Sequence, residues 1–233
     1  MTGAGARRPP SLSHVPRHLF VLRHGPTDMN AAGVIQGRLD ASLTPEGHAM
    51  VEAHARFLQT AGPPPPRLLC GPLKRTRETA AIISDVLGAP VEVIDALTEI
   101  GRGDLEGLAK ESLPPRLDAA YRRFLDDPWG SRPPGPGAET FEDVEQRLRA
   151  KVVPAVERAQ QDGRVAPIVV THGSVGKILV AIVTGGGRDL VGRLPGKHAL
   201  IWHVVDGSLE AFDGKRGYAS VDPGSLAAGG LDA

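Results

Sequence analysis

The sequence predicts an α/β fold: a three-layer αβα sandwich around a mostly parallel, mixed central sheet, with a small helical lid insertion. Three observations predict it. Short apolar runs alternate with helix-patterned stretches along the chain. The runs HLFVL (18–22), RLLC (67–70) and PIVVT (167–171) are apolar without strict alternation, as in strands covered on both faces. Near the end, HALIWHVV (198–205) and SLEAF (208–212) flank Asp206-Gly207, a hairpin signal that adds antiparallel strands. The chain has 233 residues, 41% of them hydrophobic, enough to build a sizeable core.

Residues 1–16 are rich in Pro, Gly, Ser and Arg and read as a disordered arm. The domain proper is expected over 17–217. Its first strand is 18–22. Thr44 is placed to cap a helix that begins with Pro45 and runs to about 60, where Gly62 and four prolines stop it. A strand follows at 67–70, then a helix at 74–87 closed by Gly88, then a strand at 91–94. The block 108–137 carries prolines at 114, 115, 128, 133, 134 and 136 and reads as the lid insertion, with its best helix at 117–125. Thr140 is placed to cap a long helix to about 161. The strand 167–171 and an apolar helix at 174–184 precede the hairpin. Residues 218–233 read as a flexible tail, and the apolar hairpin is a candidate pairing edge for a homodimer.

Composition narrows the partners. Lys+Arg and Asp+Glu both number 27, so no net field draws the chain to nucleic acid or a membrane surface. One cysteine, Cys70, excludes an internal disulfide and fits a reducing compartment. The start lacks the apolar segment of a secretory signal, and no run approaches membrane-spanning length. A cytoplasmic location is expected, with neither nucleic acid nor membrane as partner.

Two strands end alike. Leu22-Arg23-His24-Gly25 and Val170-Thr171-His172-Gly173 each put an imidazole at a strand's carboxyl end, where open parallel sheets bind ligands. One such histidine is unremarkable; the same device after two strands is not. A third strand end, Cys70-Gly71-Pro72-Leu73, runs into a helix on which Arg75 and Thr79 share a face. Lys74 and Arg77 read as solvated charge on that helix.

These blocks resemble the histidine phosphatase superfamily, which includes the phosphoglycerate mutases. Arg23-His24-Gly25-Pro26-Thr27-Asp28-Met29-Asn30 is similar to the opening motif of that family. Gly37-Arg38-Leu39-Asp40-Ala41-Ser42-Leu43-Thr44-Pro45-Glu46-Gly47 is similar to its next loop, and Gly71–Ala80 to its second arginine block. Glu99-Ile100-Gly101-Arg102-Gly103-Asp104-Leu105-Glu106-Gly107 matches the acidic segment, and Thr171-His172-Gly173 closes the set. The departures are Pro26, Met29, Gly71 and Leu105. They remove no catalytic group and bear on the shape of the substrate pocket rather than on the chemistry.

The resemblance implies His24 as nucleophile through a phosphohistidine, Glu99 as general acid, and His172, Arg23 and Arg75 around the phosphoryl group. It also implies Asn30, Gln36, Gly37, Arg102 and Gly173 as substrate contacts. The residue chemistry agrees. A phosphate monoester carries about −1.5 to −2 charge near neutral pH, and two guanidinium forks suit its oxygens. An attacking imidazole must be neutral, which nearby guanidinium charge favours, with a backbone carbonyl fixing its tautomer. A carboxyl acting as acid near neutral pH needs burial or carboxylate neighbours to keep its proton. Arg116 and Arg122 read as surface charge rather than leaving-group contacts.

No metal or other cofactor is expected. His48 and His54, six apart, form no zinc-like cluster and read as solvated. The expected activity is metal-independent hydrolysis of a small-molecule phosphate monoester. The alternatives are a mutase of the same family and a non-catalytic phospho-ligand module. Only 64 residues (108–171) separate Gly107 from His172, which favours the phosphatase. His172-Gly173-Ser174-Val175-Gly176 lacks the first glycine of a serine-hydrolase elbow.

Overall fold

A computed structural model describes residues 18–61, 66–160, 166–217 and 219–221. Seven strands form one sheet in the order β3-β2-β4-β1-β5-β6-β7. They are β1 His18–Arg23, β2 Arg67–Cys70, β3 Val91–Val93, β4 Pro167–Thr171, β5 Leu200–Val205, β6 Ser208–Asp213 and β7 Ala219–Val221. The first four are mutually parallel; β5, β6 and β7 run antiparallel to their neighbours. The mixed sheet expected from the hairpin is therefore present. Asp206 and Gly207 both take positive φ (44° and 83°), the backbone that a tight right-twisted hairpin turn needs.

Helices cover both faces. On one side α2 (Pro45–Ala61) and α3 (Lys74–Leu87) pack on Phe20, Leu22, Leu68, Cys70, Ile168 and Val170. On the other, α5 (Phe141–Arg147), α6 (Val153–Ala159), α7 (Gly173–Thr184) and α8 (Gly187–Arg193) pack on Leu19, Val21, Leu69 and Val169. Successive strand residues thus enter opposite cores, which is why Leu19–Leu22 of β1 and Ile168–Val170 of β4 are all apolar. The remaining helices are the one-turn α1 (Asp28–Ala31) and, in the insertion, α4 (Pro115–Asp126).

Four differences from the sequence reading have physical causes. The single helix expected over 140–161 is α5 and α6 joined by a π-helical turn at Leu148–Val152. Pro154 has no N–H for the carbonyl four residues back, and the wider turn accommodates that loss. The expected tail from 218 is corrected at Ala219–Val221, which pairs with β6 and covers the outer edge of the hairpin. The arm 1–16 and residues beyond 221 lie outside the described residues. The third difference is α8: it follows the glycine run 185–187, which reads locally as a stop, and Val191 and Leu194 anchor it to the core. His54, read as solvated, is buried, with Nε2 3.0 Å from the His198 carbonyl; His48 is exposed.

Candidate active site

The register of β1 and β4 builds the site. Leu22 pairs with Val170 and Arg23 with Thr171, so the two His-Gly ends lie side by side. The His24 amide donates to the Thr171 carbonyl at 2.9 Å, continuing the ladder one residue beyond the strands. The two imidazole rings then stand 5.1 Å apart at 64°. On the far side of β4, β2 ends at Cys70 just before Gly71, and α3 has Arg75 in its first turn, with the side chain reaching the same region. Arg75 is buried; its Nη1 donates to Leu39 O (2.7 Å) and Nη2 to Gly37 O (2.8 Å). It therefore fixes the loop 36–40 over the site as well as lending it charge.

His24 is 1% exposed. Its Nδ1 lies 2.8 Å from the Gly25 carbonyl, an acceptor only, so Nδ1 carries the proton and Nε2 keeps the lone pair. Burial holds its pKa well below the ordinary histidine value, and His172, Arg23 and Arg75 add repulsion against protonation. His172 is fully buried and also held low, by burial first and then by Arg75 and Arg23. Neither of its ring nitrogens has a hydrogen bond among the described residues. It is the N-cap of α7, whose positive end therefore opens on the site.

Asn30 and Thr27 form a reciprocal capping box on α1. Thr27 Oγ1 accepts from the Asn30 amide (3.2 Å), and Asn30 Oδ1 accepts from the Thr27 amide (3.2 Å). Gln36 Nε2 donates to Thr27 Oγ1 at 2.9 Å. Arg23 Nη1 donates to the Gly196 carbonyl at 2.6 Å. Glu99 follows β3 in an irregular segment; its Oε1 accepts from the Ile100 amide at 2.8 Å, and Oε2 is 3.7 Å from His172 Nδ1.

A small cleft opens here. Of the residues expected at the site, Arg23, His24, Asn30, Gln36, Gly37, Arg75, Glu99 and Arg102 line it. His172 stands behind His24, and Gly173 does not line the cleft; a Cβ on Gly173 would lie 3.4 Å from Arg23 Nη1. Arg102 stacks over Phe124 of α4, 4.3 Å from the ring centroid. Arg116 and Arg122 are exposed, the latter paired with Asp118. From the insertion, Lys110 reaches the lining.

Sequence reading missed His198. Its Nδ1 lies 2.6 Å from the His24 carbonyl and its ring 5.2 Å from that of His24. Burial, then Arg23, pushes its pKa down to about 3. It arrives from a loop 174 residues away, and no local pattern announces it. Among the described residues no three His, Cys, Asp or Glu side chains are grouped to hold a metal ion.

Residues 19–208 match the profile of the histidine phosphatase superfamily, branch 1. The chain belongs to this family. Among curated relatives of this histidine phosphatase is "Putative phosphoserine phosphatase 2" of Hydrogenobacter thermophilus. It is 32% identical over 177 residues, covering 74% of this chain and 81% of the relative. "Probable phosphoglycerate mutase GpmB" of Yersinia enterocolitica is 29% identical over 167 residues, covering 72% and 74%. Among solved structures, a mycobacterial glucosyl-3-phosphoglycerate phosphatase complexed with VO3 superposes with a TM-score of 0.69 at 26% identity, over 81% of this chain and 92% of the other. The chain is thus an enzyme of the phosphatase or mutase type.

Proposed function

We propose that this enzyme hydrolyses a small-molecule phosphate monoester through a phosphohistidine on His24. One observation carries the proposal. Nδ1 of His24 is committed to the Gly25 carbonyl, so the nitrogen left with a lone pair is Nε2, in a cleft that Arg23 and Arg75 also line. In the first step Nε2 attacks phosphorus and the P–O bond to the leaving group breaks. Glu99, protonated, gives its proton to the leaving oxygen. Arg23, Arg75 and His172 meet the charge spread over the equatorial oxygens. In the second step water attacks phosphorus, its proton goes to the Glu99 carboxylate, and the N–P bond breaks to release phosphate. Asn30, Gln36 and Gly37 form the wall against which the ester is held.

Arg102 and Lys110 add two cations to the lining. They favour esters with a second anionic group, and the names of the phosphoserine and phosphoglycerate relatives accord with that. The cytoplasm is the proposed compartment, on the strength of one buried cysteine in the chain; no described helix is long and apolar enough to cross a membrane. The test is a panel of carboxylated, sugar and nucleoside monoesters. Release of inorganic phosphate by the unprimed enzyme is expected. Turnover that appears only after priming with a bisphosphorylated glycerate, with phosphate returned to a second hydroxyl, would replace the hydrolase by a mutase.

A further inference from the structure

We infer that Glu139 is a positioning residue for Glu99, and the inference rests on the proposed role of Glu99 as the acid. Glu99 sits in a segment without regular hydrogen bonding, between the short 3-10 turns Asp95–Leu97 and Gly103–Leu105. Such a segment does not hold a carboxyl in register by itself. Besides the Ile100 amide on Glu99 Oε1, the Arg102 amide on Glu106 and the Thr171 hydroxyl on the Leu97 carbonyl, three of the contacts that hold it converge on one side chain. Glu139 Oε2 accepts from the Gly101 amide at 3.2 Å, and the Glu139 amide donates to the Gly101 carbonyl at 2.9 Å. This reciprocal pair fixes the position two residues after Glu99.

The same carboxylate holds two arginines that grip the segment elsewhere. Arg147 approaches both oxygens, Nε to Oε1 at 3.1 Å and Nη2 to Oε2 at 3.2 Å, and its Nη1 donates to the Ala96 carbonyl. Arg38 Nη2 lies 3.0 Å from Oε1, and its Nε donates to the carbonyl of Glu99 itself at 3.4 Å. One carboxylate thus brackets Glu99 at 96, 99 and 101. The anchor is rigid: Glu139 immediately precedes Thr140, the N-cap of α5, which forms a capping box with Asp143. The approach is close as well. A Cβ on Gly101 would sit 1.9 Å from the Gly137 carbonyl oxygen, so only glycine lets the two backbones meet. With Glu139 14% and Arg147 17% exposed, the pair is shielded enough to hold its geometry.

A misplacement of about 1 Å at a reacting group can cost about 10²-fold. That cost falls selectively if Glu139 acts through Glu99. A proton donor matters for an alkoxide leaving group and hardly at all for a strongly acidic phenol. A purely structural ion pair would make no such distinction.

The experiment compares kcat/KM, which reports formation of the phosphoenzyme, for phosphoserine and for 2,4-dinitrophenyl phosphate. The proteins are the wild type, E99Q, E139Q and the double variant. Expected for E139Q is a loss of about tenfold or more on the alkyl ester and under about threefold on the aryl ester. The double variant should be no worse than E99Q alone, because both act on one step. Equal losses on both esters in E139Q, or losses that multiply in the double variant, overturn the inference while a steep E99Q profile leaves the acid in place. A flat E99Q profile overturns the reading of Glu99 and the inference with it. Should E139Q fail to fold, E139D, which keeps the charge on a shorter arm, carries the same comparison.

Discussion

His24 and His172 begin from the same local sequence and end in different chemical states. Both leave the carboxyl end of a buried parallel strand, both precede glycine, and both are buried. Yet His24 has its Nδ1 on the Gly25 carbonyl and its own carbonyl on His198. His172 has no hydrogen bond on either nitrogen among the described residues. An unmade buried hydrogen bond costs about 1–3 kcal/mol. A ring kept in that state is ready to meet a ligand, whereas a ring with a fixed tautomer and a free lone pair is ready to attack. The repeated motif marks where the site is; the neighbours of each ring assign the role.

The largest effect that can break this comparison is catalytic. His24→Asn should remove activity by about 10⁴-fold or more, because it deletes the nitrogen proposed to attack phosphorus. His172→Asn should lose about 10²–10³-fold, as expected for a donor to the transition state. Equal losses measured by steady-state kcat on one ester would collapse the distinction between the rings.

The adjoining glycines sharpen it next. A Cβ on Gly25 would lie 2.8 Å from Val51 Cγ2 and 2.9 Å from the Gly47 carbonyl, so Gly25→Ala should destabilise by about 1–3 kcal/mol. Gly173 is the first residue of α7, and an added methyl there makes an ordinary contact at 3.4 Å from Arg23 Nη1. Gly173→Ala should leave stability unchanged or slightly raised, since alanine favours helix. Urea unfolding of the two variants reads both numbers.

The pH dependence of stability is a small effect for each group and a sum over several. His24, His54, His172 and His198 are all held below their ordinary value, chiefly by burial. The unfolded chain therefore takes up protons near pH 6.5 that the folded one refuses. Their contribution is complete above that pH and is lost as pH falls below it, at up to about 1.4 kcal/mol per histidine by pH 5.5. Urea midpoints should drop between pH 7.5 and 5.5, and His172→Asn should shrink the drop by one histidine's share.

Much of this was legible in the sequence. β2, β4 and α3 fall at the residues their apolar pattern and Gly88 indicate, because local signals suffice for a buried strand and for a helix with a glycine stop. Arg23 and His24 were legible from their place at a strand end, while Asn30, Gln36, Gly37, Glu99 and Arg102 were legible only through the family resemblance; Val34, Ile35 and Lys110 were not singled out. His198 and the bracket of Arg38, Glu139 and Arg147 were not, because each meets the site through contacts between distant segments. A buried His54 was missed for the same reason: its partner is the His198 carbonyl, 144 residues away.

The most direct test of the central claim is to quench the enzyme during turnover with a ³²P-labelled ester under alkaline conditions and locate the label. The account predicts acid-labile phosphate on His24, retained in His172→Asn and absent from His24→Asn. Label on His172, or turnover that survives His24→Asn, would contradict it.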